Sequence, residues 1–345
     1  MNVLAGKHEA FETLNAEEWS ALLQTYRTPY NFRAVYELLL TLGLFAVLWV
    51  ATYASLQVSY ILTLALSVPS AGMLLRIFMI QHDCGHGSYF SDRKANDWIG
   101  RILGVLTFTP YDYWKRNHAI HHASSGSLDH RGVGDIQTLT IEEYKNRSGI
   151  GKAAYRLYRN PITLFVIGPA YVFLLEQRLP IGMMKIGWRP WVSTMGTNIG
   201  ILAIAGGLIY LIGWQAFLMV QVPVTLIAAS IGVWMFFIQH QFEETSWESG
   251  KDWNRKEAAL YGSSHYDLPQ PLRWFTGNIG VHHVHHLCSH IPFYRLSDVL
   301  RDFPQLRDVG RITLFESFKC ARLALWDHEN GKLLSFREAV NRVNH

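Results

Sequence analysis

The chain has 345 residues, of which 49% are hydrophobic and only 17% are charged. This charged fraction lies below the roughly 25% that is usual in soluble domains, which excludes a disordered chain and disfavours an ordinary cytosolic enzyme. A formal net charge of +4 is too small to indicate nucleic-acid binding. Three Cys cannot form a full disulfide framework. The content of 16 His is unusual, and their positions indicate the kind of site that the chain contains.

The N-terminal part leads into a first charge-poor stretch. Residues 1–34 are mixed polar and show no basic region before an apolar run, so we expect no cleaved signal peptide. Residues 34–75 contain no Lys or Arg and a single acid, Glu37, and the polar sequence at 55–59 divides them. We predict a transmembrane hairpin over residues 35–80, with spans near 35–55 and 60–80. Arg76 lies in the second span, where we expect it to snorkel toward the interface.

A second charge-poor stretch covers residues 192–242, which contain no Asp, Glu, Lys or Arg. Its break is Gly213-Trp214-Gln215, so we predict a second transmembrane hairpin over residues 193–238, with spans near 194–212 and 216–238. The alternative is a buried helical hairpin in a large soluble protein, which two such long uncharged stretches disfavour. The predicted fold class is an all-α membrane protein with four transmembrane helices in two hairpins and a helical cap.

Basic residues orient these hairpins. The breaks at 55–59 and 213–215 carry no Lys or Arg, whereas the segments 81–192 and 239–345 carry many. The positive-inside rule therefore places residues 1–34, 81–192 and 239–345 in the cytoplasm. The chain is therefore predicted to cross the membrane several times, with both termini and the segment between the hairpins in the cytoplasm. Two shorter apolar runs, residues 99–108 and 162–175, fit helices that lie in the interface.

Eight histidines form three clusters, and all three are predicted to face the cytoplasm. The clusters are His82 and His86; His118, His121 and His122; and His282, His285 and His286. Residues three or four apart share a helix face, so each cluster can bind metal, while adjacent histidines about 100° apart can reach two different ions. Imidazole suits Fe, Zn, Cu and Ni, and eight exceed the four ligands of one tetrahedral zinc. The pattern predicts two neighbouring metals without identifying them.

Other residues were weighed beside these clusters. His240 directly follows the fourth predicted span, at the depth where the clusters meet, and is a candidate ninth ligand. His265 in a polar loop and the remaining His8, His130, His290, His328 and His345 are interpreted as structural or surface residues. His283 lies outside the cluster frame and is expected at most to contact a metal ligand. Cys84 and Cys288 are possible thiolate ligands. Groups that can fix the imidazole tautomers are Asp83, Asp112, Asp129, Asp135, Glu243, Glu244, Asp267 and Asn278, although each acid alone is expected to be solvated.

These boxes resemble those of the integral-membrane fatty acid desaturases, in particular the bacterial acyl-lipid branch. The HxxxH, HxxHH and HxxHH boxes follow two membrane hairpins, and residues 80–92, 118–140, 155–161, 230–234 and 273–296 are also similar. The resemblance implies a non-haem di-iron centre, with O2 as co-substrate and reduced ferredoxin or flavodoxin as electron donor. It implies catalytic and metal-binding roles for His82, His86, His118, His121, His122, His282, His285 and His286, and it supports His240 as the ninth ligand.

The activity implied is oxygen-dependent insertion of a double bond into the acyl chain of a membrane lipid. The partners implied are that lipid and a small electron-transfer protein, with no nucleic acid; the oligomeric state is not predicted. A related di-iron hydroxylase or oxygenase has the same ligands and is the first alternative. A membrane metal transporter is remote, because the spans offer almost no polar path. A zinc hydrolase differs in its metal content.

Overall fold

The computed structural model describes residues 14–132 and 134–343. His8, His345 and residues 1–13 of the predicted N-terminal segment lie outside the described residues. The described part is mostly helical, as predicted. The proposed division into five segments stays a prediction, because the structure contains no membrane that would mark their boundaries.

Four helices in this part of the chain are long and apolar enough to cross a membrane. We number the helices in chain order, beginning with a short α1 at Ala16–Leu23. The four membrane helices are α2, Asn31–Ala54; α3, Tyr60–His86; α9, Trp188–Ile212; and α10, Trp214–His240. The two predicted hairpins are therefore confirmed as pairs of long apolar helices, each extending a few residues beyond the predicted spans.

Local sequence explains where these helices begin and end. The Ser59 side chain accepts a hydrogen bond from the Ile61 amide and caps the start of α3. Gly87 ends α3 in the left-handed conformation, at a φ of 68°. Gly213 has a φ of 83° and reverses the chain between α9 and α10. Helix α3 thus continues through the first histidine box, so His82 and His86 lie on its last turns. The predicted end of the membrane span near residue 80 stays a prediction.

The two short apolar runs do not form spans in the described residues, as predicted. The first belongs to α4, Arg93–Leu106, which is followed by α5, Tyr111–Ser124. The second forms a π-helical turn, Thr163–Ile167, that continues into α8, Gly168–Leu174. Large apolar side chains of this second run, such as Ile162 and Val166, are exposed, which suits a segment in contact with lipid.

The remaining elements form the layer next to the membrane helices. The helices are α6, Ile141–Lys145; α7, Gly149–Tyr158; α11, Arg255–Tyr261; α12, Leu272–Phe275; α13, His282–Leu287; α14, Phe293–Asp302; α15, Leu314–Cys320; and α16, Phe336–Val343. Strands β1, Leu139–Thr140; β4, Leu323–Asp327; and β5, Lys332–Ser335 form one sheet, with β1 and β4 parallel and β4 and β5 antiparallel. Strands β2, His265–Asp267, and β3, Arg311–Thr313, pair in parallel. These short strands were not part of the all-α prediction.

Arg76 does not snorkel, and that expectation is wrong. The residue is 1% exposed, and its Nη2 lies 2.6 Å from Oε2 of Glu37 on α2. Its guanidinium also stacks over the Trp274 ring at 4.2 Å and donates to the Trp274 carbonyl. A buried charge in a membrane protein needs such a partner. The pair therefore joins the first hairpin to α12, the helix that precedes the third histidine box.

Candidate metal centre

Nine histidines converge from four elements of the fold. The last turns of α3 supply His82 and His86, α5 supplies His118, His121 and His122, the last residue of α10 is His240, and α13 supplies His282, His285 and His286. All nine are buried or half-buried. The structure therefore brings together each sequence-predicted site residue, including the candidate ninth histidine.

The nine side chains divide into two groups whose ligating atoms lie within 4.8 Å of one another. The first group contains five residues: His82, His86, His118, His122 and His285. The second contains four: His121, His240, His282 and His286. Adjacent histidines of the second and third boxes are thus assigned to different groups, as the helical geometry predicted. The groups are neighbours, because the rings of His122 and His286 stack at 4.1 Å.

The distances between ring nitrogens test whether these groups fit metal ions. In the first group, the Nε2 atoms of His86 and His118, His118 and His122, and His122 and His285 are 3.0–3.1 Å apart. In the second, those of His121 and His240, His240 and His282, and His282 and His286 are also 3.0–3.1 Å apart. With metal–nitrogen bonds of about 2.1 Å, ligands at right angles are about 3.0 Å apart and tetrahedral ligands about 3.4 Å. The spacing therefore fits centres with more than four positions.

Two acids hold histidines of the two groups. Asp135 Oδ1 lies 2.5 Å from Nδ1 of His121, and Asp83 Oδ1 lies 3.0 Å from Nδ1 of His82. Asp83 also accepts a hydrogen bond from the Phe293 amide at 2.6 Å. An acceptor on Nδ1 places the proton there and leaves Nε2 free to bind metal. The expectation that these two acids are solvated is therefore wrong.

The other tautomer-fixing candidates have different roles. Asp112 pairs with Arg101, Asp267 with Arg273 and Arg311, and Glu243 with Lys332. Asp129 accepts from the Gly250 amide, Glu244 is exposed, and the Asn278 amide group donates to the Phe293 carbonyl. None of these six contacts a histidine of either group within the residues that the structure describes.

Burial favours the neutral form of five site imidazoles. Burial, followed by the repulsion of neighbouring imidazoles, lowers the pKa of each of the five site histidines on α5 and α13 for which a shift is resolved: His118, His122, His282, His285 and His286. Neutral imidazole is the form that binds a metal. In addition, the Nδ1 atoms of His282 and His285 are buried without a hydrogen-bond partner within the described part of the chain.

Histidines and cysteines assigned to other roles lie outside both groups. His283 and His265 form a separate buried ring pair 5.8 Å apart. Burial lowers the pKa of His283 to about 3 and also lowers that of His265. His265 is on β2 with Nδ1 at 2.5 Å from the Arg307 carbonyl, so its predicted place in a polar loop is wrong. Cys84 and Cys288 are buried free thiols in neither group.

An apolar cavity of about 350 Å³ leads to the two groups. Helices α3 and α10 form much of its wall, from Leu74 and Thr225 in the membrane region to His82 and His282 at its head. The α10 residues that line it run from Thr225 to Gln239, a helix length of about 21 Å. The His118 ring at the head stacks on Trp114, with centroids 4.6 Å apart. The cavity thus has the shape and polarity for a long apolar chain beside the imidazoles.

Fold and site together define a helical membrane protein in which two histidine groups that could hold metal ions lie at the head of an apolar cavity. Residues 59–315, most of the chain, match the model of the fatty acid desaturase family. A "Fatty acid desaturase" of Bacillus subtilis is 46% identical over 314 residues, which cover 90% of this chain and 88% of that protein.

Cyanobacterial proteins are more distant relatives. The "sn-1 acyl-lipid omega-3 desaturase (ferredoxin)" of Synechocystis sp. is 28% identical over 64% of this chain and 61% of its own length. The "sn-1 oleoyl-lipid 12-desaturase" of Anabaena variabilis is 24% identical over 65% of this chain and 63% of its own length. The chain belongs to the fatty acid desaturase family and is an oxidoreductase.

Proposed function

We propose that this protein introduces a double bond into an acyl chain of a membrane lipid. The observation that carries the proposal is the meeting of two imidazole groups at the head of an apolar cavity whose long axis follows α10. Acyl-lipid substrates are named for the two cyanobacterial relatives. Because membrane helices line the cavity, it lies where the acyl chains of membrane lipids are already present.

We further propose that the nine histidines are metal ligands and that each group holds one iron ion. Imidazole suits iron, and the nitrogen spacing fits more than four positions around each ion. The residues would then be His82, His86, His118, His122 and His285 for one ion, and His121, His240, His282 and His286 for the other. We expect metal analysis of the purified protein to find two iron ions per chain and no zinc.

An iron pair held by these histidines would supply the redox chemistry by which O2, two electrons and two protons take up two hydrogens from adjacent methylenes, giving one double bond and two water molecules. Side-chain acids and bases cannot break an unactivated C–H bond, so this step needs a metal. The electrons come from a small carrier. Ferredoxin is the donor named for the Synechocystis relative, and flavodoxin is the other candidate.

The side chains of this protein bind, orient and exclude water. Leu74, Phe78 and Met79 of α3 and Phe236 of α10 line the cavity with apolar surface. The Phe236 ring also packs 5.1 Å from His121 and 5.3 Å from His240. Asp135 holds the Nδ1 proton of His121 and so directs its Nε2 toward the second group. These contacts fix where an acyl chain meets the centre.

The location proposed is the inner membrane of a bacterium, with the metal centre and both termini in the cytoplasm. Its support is the charge distribution: the turn between α9 and α10 and the turn between α2 and α3 carry no Lys or Arg, whereas the segments on the side of the histidines carry many. The segment boundaries 1–34, 35–80, 81–192, 193–238 and 239–345 belong to the same proposal. A reporter that works only in the cytoplasm should be active when it is fused after residue 345, and a reporter that works only outside the cytoplasm should be inactive there.

The test is expression in a host that lacks desaturases, with the electron donor supplied. Mass spectrometry of the membrane lipids should show a new double bond in an acyl chain. His121→Ala should abolish the product, while His130→Ala, which changes an exposed histidine outside both groups, should retain it. A hydroxylated product would assign the protein to the hydroxylase alternative, and activity in His121→Ala would refute the ligand role.

A further inference from the structure

We propose that an open, basic groove beside α7 binds the phosphate of an anionic membrane lipid. The groove, which we call the arginine groove, has a volume of about 490 Å³ and lies away from the metal centre. Arg156, Arg159, Arg322 and Arg337 line it together with Asn160, and among the described residues no Asp or Glu lines it. Four guanidinium groups around one opening provide the planar donors that bind phosphate oxygens.

Arg159 forms the floor of the groove, and no acidic side chain of residues 14–132 and 134–343 pairs with it. It is 4% exposed and donates only to neutral acceptors: the Gln137 and Leu323 carbonyls, Thr138 Oγ1 and Gln241 Oε1. Its Nε has no hydrogen-bond partner in the described part of the chain. By contrast, the buried Arg76 has Glu37 at 2.6 Å. Because a buried charge without an opposite charge is costly, the floor of the groove calls for an anion.

The arginines at the rim are available for such an anion. Arg156, Arg322 and Arg337 are exposed, and within residues 14–132 and 134–343 none of them makes an ion pair. Arg156 donates from Nε to the Tyr144 hydroxyl, and its guanidinium lies 5.5 Å from the Phe336 ring. These contacts orient Arg156 and leave its two amino groups without a hydrogen bond to the described residues. The rim therefore adds positive charge that no acidic group of the described residues neutralises.

Exposed apolar side chains place the groove at the level of lipid headgroups. Leu157 and Ile162, which flank the groove in sequence, are 66% and 64% exposed. Phe315 and Phe318 of α15, just before Arg322, are 81% and 59% exposed. The Phe318 ring packs 5.5 Å from Trp234 of the membrane helix α10. Arginine beside exposed aromatic and aliphatic side chains is the composition of a surface that meets both acyl chains and headgroups.

The groove is separate from the acyl cavity. Gly232, Phe236 and Gln239 of α10 line the cavity, whereas Phe237 lies 5.4 Å from the Arg159 guanidinium and Gln241, just beyond the helix end, accepts from it at 3.0 Å. At 100° per residue these sets lie on different sides of α10. The bound lipid is therefore a second lipid and not the reacting one. Arg159 links the groove to Gln241, the residue after His240, and lipid binding in the groove does not depend on the proposed desaturation.

Free phosphate offers the same oxygens as a lipid headgroup, so the experiment compares both sources. The full chain in detergent is titrated with phosphatidylglycerol, phosphatidylcholine or inorganic phosphate, and native mass spectrometry counts the bound molecules. The groove variant is Arg322→Gln/Arg337→Gln, which changes two exposed side chains. The matched control, Lys251→Gln/Arg255→Gln, removes the same charge from two exposed positions outside the groove.

We expect phosphatidylglycerol to bind the unmodified chain more tightly than phosphatidylcholine does. Affinity should fall about 25-fold in the groove variant, at about fivefold per arginine near a membrane surface, and should not change in the control. Equal lipid affinity in the groove variant and the control would overturn the proposal. The proposal would also be overturned if the groove variant keeps its lipid affinity and only its reduction by an acidic electron donor is lost. Displacement of the lipid by millimolar inorganic phosphate would show that the groove binds free phosphate, and would overturn the assignment of a lipid headgroup as the source of the bound phosphate.

Discussion

The two helices of each hairpin have similar composition and different surroundings. Helices α3 and α10 line the acyl cavity and end at His86 and His240. Helices α2 and α9 contribute no residue to either histidine group or to the cavity, and much of their surface is exposed to the membrane region. All four are apolar enough to span. Hydropathy thus identifies spans, whereas burial and contact with the cap distinguish the helices that carry the site from those that face lipid.

The difference between the helices that line the cavity and those that face lipid also appears in the surroundings of their glycines. Gly232 on α10 borders the cavity, and a Cβ there would contact Leu75 at 3.6 Å. Gly206 on α9 is exposed, and a Cβ there would meet nothing within 4 Å. The comparison predicts that changes at the end or on the inner face of α3 and α10 affect the chemistry. Equivalent changes on α2 and α9 should affect stability or nothing.

The largest effect is expected at the end of α10. His240→Ala removes one imidazole of the second group, so we expect loss of bound metal and of product below detection, since three imidazoles remain. Metal analysis of the purified protein and lipid analysis of the host measure this. The control is His130→Ala. Retained metal and product in His240→Ala would show that α10 supplies no metal ligand and does not differ from α9 in this respect.

The next effect concerns the buried ion pair between Glu37 of α2 and Arg76. Glu37→Gln removes the charge opposite Arg76, which is 1% exposed. We expect the free energy of unfolding to fall by about 3–5 kcal/mol. Arg33→Gln removes the other ion pair of Glu37, where Arg33 is 55% exposed, and should cost less than about 1 kcal/mol. Unfolding in mixed micelles compares the two variants, and equal losses would contradict the assignment of Arg76 as the buried partner.

A smaller effect is expected for the acid that orients His121. Asp135→Asn weakens the contact at His121 Nδ1, and we expect metal affinity to fall about 10–100-fold. Competition with a chelator gives the affinity. Asp129→Asn is the matched variant, because Asp129 is exposed and accepts only from the Gly250 amide. If both variants bind metal equally, Asp135 has no role in the second group.

The smallest effect is expected on the cavity wall. Gly232→Leu places a side chain in the acyl path near Leu75, and overpacking of about 1 kcal/mol corresponds to about fivefold lower kcat/KM for long chains. Gly206→Leu adds the same side chain to the exposed face of α9 and should leave the rate unchanged. Product analysis with acyl chains of two lengths measures both. Equal rates for the two variants would show that α10 does not border the substrate.

Much of the site was predictable because its signals are local. A run of uncharged residues specifies a spanning helix, since the backbone in lipid must satisfy its own hydrogen bonds. Spacing of three and four residues places histidines on one helix face. The charges at Glu37 and Arg76 also carried a signal that the snorkelling interpretation missed. Two opposite charges in one otherwise apolar hairpin indicate a pair when both face inward.

The sequence by itself determined four apolar helices and three histidine boxes, and it indicated that adjacent histidines point to different sites. Only the tertiary structure decided which histidines form one group, because His121 and His240 are 119 positions apart and meet through packing. The same holds for Asp135 beside His121, for Arg76 against Glu37 and for the floor of the arginine groove. Helix period and hydropathy depend on near neighbours in the chain. Pairing of buried polar groups depends on distances between segments that only the folded chain brings together.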